Sequence, residues 1–434
     1  MQFSRVPSTT LAIVAAIALM GCGQKEEPKP QAAAPVAAPV PAVKPEVTVK
    51  LGHVAPLTGP QAHLGKDNEN AARLAVDELN SQNLEIGGAK VKFELLAEDD
   101  QADPKQGTIV AQKLVDAKVN GVIGHLNSGT TIPASKIYSD AGIPQISGSA
   151  TNPKYTQQGF KTAFRVMAND VQQGKSLGEY ASKQLAAKTV AIIDDRSAYG
   201  QGLADEFRKA VEAAGVKVVA SEFTNDKATD FAAILTKIKS KKPDLVFYGG
   251  MDAQGGPMAK QMKTLGLKKT KFLTGDGGCT PEFIKLGGEA TEGQYCSLPG
   301  VPLDKMPGGK AFGDKFTAKY GQIQLYAPYV YDAVMVAVDA MKRANSVDAA
   351  RYLGEIGKTD YQGVTAKIQF DELGDLKGGS VSLYQVKDGK WEFQETLGGD
   401  PLAATKEAVV EAKEAVKEAA QATGEAAKAA VDKK

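Results

Sequence analysis

The sequence predicts an α/β protein of two domains, each a parallel β-sheet covered by helices on both faces. The first observation is length, since 434 residues exceed one ordinary core and suit two domains of roughly 150 residues each plus additional segments. The second is the alternation of short β-rich runs with helical patterns. Such alternation is typical of parallel sheets, whose connections cross over on the two faces.

The β-rich runs place the predicted strands, and a helix is expected at 70–79. In a sheet of this kind, loops at the carboxyl ends of strands lead into helix N-termini, whose free N–H groups attract anions. Functional residues are therefore expected in those loops. The predicted strands lie at 47–51, 91–96, 121–124, 143–146, 190–193, 245–248 and 272–273.

The N-terminus has the features of an export signal. Arg5 precedes an apolar run, 11–20, that is too short to span a bilayer. The run leads into Leu-Met-Gly-Cys at 19–22, which resembles the bacterial lipobox, in which the cysteine is lipidated and becomes the new N-terminus. We expect residues 1–21 to be removed and Cys22 to carry a lipid; the alternative is an ordinary secretory signal with an incidental cysteine.

Two further segments differ from the rest in composition. Residues 22–46 are rich in Pro, Ala, Val and Lys, cannot bury enough apolar surface to fold, and are expected to form a semi-extended spacer. Residues 400–434 are mostly Ala, Glu, Lys and Val, a pattern that favours a helix with a weak seam of small residues. This tail is either a solvated appendage or a contact with another envelope component.

The charge balance argues against some classes of partner, and the cysteine content favours a disulfide. Lys and Arg number 52 against 51 for Asp and Glu, so no long-range field attracts nucleic acid or an anionic membrane. Apart from Cys22, the chain contains Cys279 and Cys296. In an oxidising compartment this pair favours one disulfide that closes a short loop, and two separate buried thiols are the alternative.

Two loops have the composition of a ligand site. His125–Thr131 follows a predicted strand and combines hydroxyls with free helix N–H groups, which suits a carboxylate. Ser147–Pro153 follows the next strand, and its small residues let backbone carbonyls and a threonine approach a polar ligand. Together the loops fit one zwitterion, although simple N-capping explains each loop taken singly.

Several stretches, in order and without large gaps, carry a family resemblance from about Val47 to Glu395. They are 98–100 with 103–105, 124–131, 147–153, 199–204, 247–250 and 374–378. Together they resemble the periplasmic leucine/isoleucine/valine-binding protein family, the substrate-binding lipoproteins of ABC transporters with the type I periplasmic-binding fold.

The resemblance implies two similar doubly wound parallel-sheet lobes joined by a three-strand hinge. Chain crossings are expected near Ala168, Pro299 and Gly374. The N-terminal lobe is expected to comprise 47–168 plus 300–374, and the C-terminal lobe 169–299 plus 375–397.

The implied function is the extracytoplasmic substrate-binding component of an ABC importer. It would bind a free amino acid, first of all a branched-chain one, between the lobes and deliver it to a membrane permease. The expected protein is a periplasmic monomer, lipid-anchored to the membrane, without enzymatic activity, cofactor or nucleic-acid partner.

Carried over from the family, Ser128 binds the ligand carboxylate, and the Ala150 carbonyl and Thr151 hydroxyl receive the ammonium group. Tyr199 comes from the opposite lobe on closure. Asp276 stands where the family has a glutamate against the ammonium group. The charge is kept, since an unpaired buried ammonium is costly, but the shorter side chain requires a slightly different closure or a bridging water.

The wall of the side-chain pocket differs from that of the leucine-type members. Leu64 and Met251 stand where those members carry aromatic residues, so a different apolar or aromatic ligand side chain is an alternative to leucine, isoleucine or valine. The cysteine pair of the enteric members is replaced by Ala102 and Asn127. Cys279 and Cys296 are this chain's own pair.

The histidines and the strand-end carboxylates bear on other possible functions. The three histidines, His53, His63 and His125, show no metal-ligand spacing, so no metal site is expected. His63 and His125 fall near the predicted cleft, either as ligand contacts or as ordinary loop residues. Remaining alternatives are the same fold binding a small amide or aromatic acid, a sensory binding protein, and an exported α/β hydrolase using strand-end carboxylates such as Asp99-Asp100 or Asp194-Asp195.

Overall fold

The computed structural model describes residues 44–399. These residues contain fifteen strands and twelve α-helices. The predicted signal peptide, Cys22, nearly all of the predicted spacer and the tail at 400–434 lie outside the described residues.

Six strands form the first sheet, in the order β2-β3-β1-β4-β5-β6. They are β1 (Glu46–Ala55), β2 (Glu85–Ile86), β3 (Ala89–Asp99), β4 (Gly121–Gly124), β5 (Gln145–Ser147) and β6 (Ala163–Arg165). Neighbouring strands run parallel except β2 and β3, which form an antiparallel pair.

Seven strands form the second sheet, in the order β15-β14-β11-β10-β9-β7-β8. They are β7 (Thr189–Asp194), β8 (Lys217–Phe223), β9 (Leu245–Gly249), β10 (Lys271–Thr274), β11 (Tyr295–Pro299), β14 (Ser380–Lys387) and β15 (Lys390–Gly398). The short strands β12 (Tyr361–Gln362) and β13 (Lys367–Ile368) pair separately.

Helices cover both faces of each sheet. They are α1 (Ala62–Ser81), α2 (Pro104–Asp116), α3 (Ser128–Asp140), α4 (Lys154–Gln157), α5 (Asp170–Lys183), α6 (Ala198–Ala213), α7 (Ala232–Lys241), α8 (Asp252–Thr264), α9 (Pro281–Gly287), α10 (Gly309–Tyr320), α11 (Ala327–Ala344) and α12 (Ala349–Ile356). We call the first sheet with α1–α4 and α10–α12 the first lobe, and the second sheet with α5–α9 the second lobe.

Alternating side chains on the strands give each sheet two buried faces. In β9, Val246 packs in the cluster formed with α7, α8 and α9, whereas the next residue, Phe247, packs in the cluster formed with α6. In β4, Val122 packs in the cluster formed with α2 and α3, whereas the next residue, Ile123, packs in the cluster formed with α1 and α11. Strands buried on both faces have few polar positions, which is why they read as short apolar runs.

The structure confirms the predicted α/β fold with two sheet-based lobes, with a difference in strand direction in each sheet. Strict alternation of strand and helix predicts parallel pairing throughout, but β2 is antiparallel to β3, and β14 is antiparallel to both β11 and β15. Only two residues separate β14 from β15, and a connection that short can join only antiparallel strands.

The first helix is longer than predicted. Apolar spacing indicated a helix at 70–79, whereas α1 begins at Ala62 and ends at Ser81. Its first turns carry polar residues such as Asp67 and Asn68, which are nevertheless buried. The apolar pattern did not include them, because they are polar residues that are buried through hydrogen bonds to other loops of the first lobe. Asn68, for example, donates to Ser149.

A disulfide joins Cys279 to Cys296, as predicted. Cys279 follows the one-turn 3₁₀-helix Asp276–Gly278, and Cys296 lies in β11. Both residues are buried. The bond therefore ties the loop after β10 to the neighbouring strand, close to a predicted binding residue, Asp276.

Candidate functional site

The predicted ligand-binding residues all follow the carboxyl ends of parallel strands. This is where ligands bind in open α/β sheets, because loop and helix N-terminal N–H groups are free there. Leu64 follows β1, Ser128 follows β4, Ala150 and Thr151 follow β5, Tyr199 follows β7, Met251 follows β9 and Asp276 follows β10.

Ser128 opens helix α3 and is completely buried. Its hydroxyl oxygen accepts a hydrogen bond from the backbone N–H of Asn152 at 3.2 Å. The first N–H groups of a helix have no carbonyl partner inside the helix. The start of α3 therefore presents donors and a hydroxyl together, the combination that a carboxylate requires.

The loop after β5 is held against the loop after β4 by Ser147. The Ser147 hydroxyl donates to the carbonyl of His125 at 3.0 Å and accepts from the backbone N–H of Ala150 at 2.9 Å. The Thr151 hydroxyl is buried, and no described residue completes a hydrogen bond to it. The hydroxyl lies beside the Asp170 carboxylate, whose pKa it lowers, without a hydrogen bond of ordinary geometry.

Arg165 anchors the same loop from beneath. Its guanidinium is fully buried and donates to the carbonyls of Ala150 and Asn152 at 2.8 and 2.9 Å. It also donates twice to the Asp375 carboxylate, at 2.9 and 2.5 Å. The Ala150 carbonyl thus already accepts one hydrogen bond, and its predicted contact with an ammonium group requires the second lone pair.

Asp276 lies between two tyrosine hydroxyls from different lobes. Tyr199 of the second lobe donates to one carboxylate oxygen at 2.8 Å, and Tyr326 of the first lobe donates to the other at 2.6 Å. Tyr199 also accepts from the backbone N–H of Gly277 at 3.0 Å. Asp276 is fully buried, so it forms a contact between the lobes inside the cleft.

Tyr326 was not predicted from the sequence, and its position depends on Asp67 in α1. The Asp67 carboxylate accepts the backbone N–H groups of Gln324, Leu325 and Ala327 at 2.9, 3.0 and 3.0 Å. These bonds fix the loop that leads into α11 and carries Tyr326. The buried polar residues of α1 thus position a residue of the cleft.

Asp170 is a second buried carboxylate that sequence reasoning missed. It opens α5 after β6 and is completely buried, and neither carboxylate oxygen accepts a hydrogen bond of ordinary geometry from residues 44–399. Its backbone N–H donates to the Thr151 carbonyl at 2.9 Å. The strand before it, β6, was not among the strands predicted from the sequence, so the rule that places ligand residues at strand ends did not reach Asp170.

The two carboxylates make the cleft strongly favourable to a cation. Burial raises the pKa of Asp170 well above its ordinary value, and the charge of Asp276 raises it further. Burial also raises the pKa of Asp276, although hydrogen bonds from Tyr326 and Tyr199 oppose the shift. Burial is the largest effect on both groups, although the Thr151 hydroxyl and the charge of Arg165 lower the pKa of Asp170. A further positive charge beside the two carboxylates would stabilise their ionised forms.

The predicted apolar wall is buried next to these polar groups. Leu64 and Met251 belong to one apolar cluster that also contains Tyr199 and Tyr326. A methyl group added at Gly277 would lie 2.7 Å from the Met251 sulfur and 2.9 Å from the Tyr199 ring. Met251 and Tyr199 therefore flank the loop that carries Asp276.

The strand-end carboxylates considered for catalysis have structural partners. Asp99 accepts the backbone N–H of Leu57 at 2.8 Å, and Asp195 accepts that of Ser197 at 2.9 Å. Asp100 pairs with His125, and both are fully buried. His125 thus contributes to the core of the first lobe.

Within residues 44–399, no group of three or more His, Cys, Asp and Glu side chains is arranged to hold a metal ion. In the same range, no helix combines the length and apolarity that crossing a membrane requires.

The sequence of this chain is similar to those of known proteins over most of its length. The sequence matches the family described as periplasmic binding protein over residues 48–390. Leu/Ile/Val-binding protein homolog 1 of Brucella abortus is 36% identical over 354 residues, which cover 80% of this chain and 93% of that protein.

Two solved structures resemble the chain over the same region. The leucine-binding protein LivK of Thermotoga maritima has a TM-score of 0.75 and 30% identity, covering 81% of this chain and 99% of its own. The branched-chain amino acid transporter substrate-binding protein LivJ of Streptococcus pneumoniae, in complex with isoleucine, has a TM-score of 0.74 and 30% identity, covering 81% of this chain and all of its own (100%).

Replacing Arg165 with methionine should lower the free energy of unfolding by about 3–5 kcal/mol, because it leaves the Asp375 carboxylate buried without its partner. Urea denaturation followed by circular dichroism measures the loss. The double variant Arg165→Met/Asp375→Asn serves as the control and should recover part of the stability. Equal losses in the single and double variants would show that the ion pair does not account for the effect.

Proposed function

Because the chain belongs to the periplasmic binding protein family, we propose that it binds a branched-chain amino acid, leucine, isoleucine or valine, in the cleft between its two lobes. It is the extracytoplasmic substrate-binding component of an ABC importer, with a membrane permease as its partner. Relatives named for Leu/Ile/Val binding, and a solved relative in complex with isoleucine, support this choice of ligand class.

The observation that carries the proposal is the division of polar groups between the lobes. The first lobe provides the start of α3 with Ser128, together with Thr151, and the second lobe provides the buried carboxylates of Asp170 and Asp276. An α-amino acid has one anionic and one cationic group on the same carbon. Ser128 holds the carboxylate, and Thr151, Ala150 and the two aspartates surround the ammonium group.

The ligand side chain lies against the apolar wall formed by Leu64 and Met251. Tyr199 reaches the ligand from the second lobe when the lobes close, while also fixing Asp276. A carboxylic acid without an amino group would leave two buried carboxylates without a positive partner, which is costly. The cleft therefore favours amino acids over simple aromatic acids.

The mechanism is capture by lobe closure, without a chemical step. The chain passes between the sheets after β6, after β11 and before β14, which supports hinge crossings near Ala168, Pro299 and Gly374. The lobes are accordingly assigned to 47–168 with 300–374 and to 169–299 with 375–397. Closure completes the ammonium site, and the permease recognises the closed form.

The N-terminal assignments extend the proposal to the membrane. Residues 1–21 act as a signal peptide, and Cys22 carries the lipid that anchors the monomeric receptor. Residues 22–46 then hold the lobes away from the bilayer. The lipobox-like sequence at 19–22 supports this arrangement.

A thermal-shift screen of the twenty amino acids, small amides and aromatic acids tests the ligand class. Leucine, isoleucine and valine should raise the melting temperature most, because bound ligand stabilises the folded state by mass action. A larger shift with an acid that has no amino group would contradict the proposal. Incubation with amino-acid amides and esters should yield no product, and turnover would instead favour the hydrolase alternative.

Replacing Asp276 with alanine should weaken isoleucine binding by about 2 kcal/mol or more, because a buried charged hydrogen-bond partner is lost. This corresponds to roughly thirtyfold in the dissociation constant, which isothermal titration calorimetry measures. Asp314→Ala, on the exposed face of α10, is the matched control and should bind like the wild type. Wild-type affinity for the Asp276 variant would remove this residue from the site.

A further inference from the structure

A hydrogen bond between His63 and Asp252 joins the two lobes beside the binding residues. His63 lies in the first turn of α1, and Asp252 is the first residue of α8. The imidazole Nε2 and a carboxylate oxygen of Asp252 are 2.8 Å apart, although the residues are 189 positions apart in the sequence. The pair therefore forms only where the lobes meet.

The second lobe holds Asp252 firmly. Its side chain is fully buried, whereas that of His63 is 23% exposed. The oxygen that contacts His63 also accepts the Thr280 hydroxyl at 2.6 Å. The other oxygen has no hydrogen-bond partner within the described part of the chain. The carboxylate is thus fixed in place, and the imidazole approaches it from the opposite lobe.

The pair lies next to the apolar wall of the cleft. His63 directly precedes Leu64, and Asp252 directly follows Met251. The same two segments therefore provide an apolar contact for the ligand side chain and a polar contact between the lobes. Opening the cleft at this wall separates His63 from Asp252 and returns the imidazole to water.

We propose that His63 and Asp252 form a clasp that stabilises the closed, ligand-bound form, and that the clasp requires the proton on His63. The clasp rests on the proposed function, since it acts by raising the affinity for the bound amino acid. His63 and Asp252 are positioning residues, because they hold the lobes together beside the ligand.

The charges around His63 favour its protonated form in the closed arrangement. Partial burial lowers its pKa, but the hydrogen bond and charge of Asp252 and the charge of Glu282 on α9 outweigh burial, so the pKa of His63 is raised. On its own helix the nearest cation, Lys66, is paired with Glu69 at 2.9 Å. The acidic groups that face His63 thus belong to the second lobe, and their effect disappears on opening.

The direction of the pH dependence follows from this shift. In the open form His63 has an ordinary pKa of about 6.5, so closure takes up a proton at neutral pH. Below that value the clasp contributes fully to ligand affinity. Its contribution is lost as the pH rises through the raised pKa of the closed form.

Calorimetric titration of the full chain with L-isoleucine, from about pH 6 to about pH 9, tests the clasp. Wild-type affinity should fall roughly fivefold over this range, a modest change because His63 is partly exposed to water. His63→Gln keeps a donor nitrogen but cannot titrate, so its affinity should lack this component of the pH dependence. Asp252→Asn should lack it as well.

Lys66→Gln is the matched control. It removes a positive charge about one turn from His63 on α1, and Lys66 is paired with Glu69 within the first lobe. It should keep the wild-type pH profile. Any contribution of Asp170 and Asp276 to the profile is common to all the variants and cancels in the comparison. Identical profiles for the wild type and His63→Gln, with normal isoleucine binding, would overturn the clasp and leave the proposed function intact.

A second readout separates the two proposals if the protein binds none of the branched-chain amino acids. That result would overturn the proposed function, and histidine NMR titration of the chain, saturated with the screened compound that raises its melting temperature most, then decides about the clasp. The chain has three histidines, and the buried His53 and His125 serve as internal references. A raised pKa of His63 that Asp252→Asn lowers supports the clasp, and an ordinary pKa unaffected by that substitution contradicts it.

Discussion

Two carboxylates buried at one point between the lobes constrain the whole cleft. Removing Asp170 and Asp276 from water is unfavourable unless a positive charge or good hydrogen bonds compensate. Tyr199 and Tyr326 compensate Asp276 in part, whereas Asp170 lacks a hydrogen bond of ordinary geometry from the described residues. In the proposed function, a ligand ammonium group supplies positive charge at this point, which makes the cleft selective for amino acids and couples closure to ligand binding.

The surrounding scaffold keeps these groups in register. Arg165 supports the loop of Ala150 and Thr151, Asp67 fixes the loop that carries Tyr326, and the disulfide of Cys279 ties down the loop after Asp276. Each support is a buried polar or covalent link to a neighbouring element. Preorganised supports of this kind reduce the conformational entropy that is lost on ligand binding. These buried polar contacts therefore stabilise the arrangement of the cleft.

The sequence was sufficient for features that depend on local pattern. Short apolar runs located the buried strands, and the strand-end rule located the loops that contain Ser128 and Thr151, whose individual roles came from the family resemblance. Tyr199, Asp276, Leu64 and Met251 came from the family resemblance, and the structure places all of them at strand ends. Their roles toward a ligand remain proposals.

Features that depend on long-range contacts could not be derived in the same way. Tyr326 meets Asp276 from 50 positions away, and no local pattern indicates that meeting. The first turns of α1 looked too polar for a buried helix, because nothing in the sequence shows that Asp67 accepts N–H groups from a loop some 260 positions later. Asp170 was missed for a different reason: β6, the strand before it, has only three residues and was not among the predicted strands, so the strand-end rule did not apply there.

In the proposed function, the ligand ammonium group, held by the buried carboxylates, provides the selectivity of the cleft. Calorimetric titration with L-isoleucine and with 3-methylpentanoate, its analogue without the amino group, measures the contribution of that group. Isoleucine should bind tightly and the analogue at least a hundredfold more weakly, a difference of about 2.7 kcal/mol or more. Comparable affinities for the two compounds would show that the ammonium group does not determine selectivity.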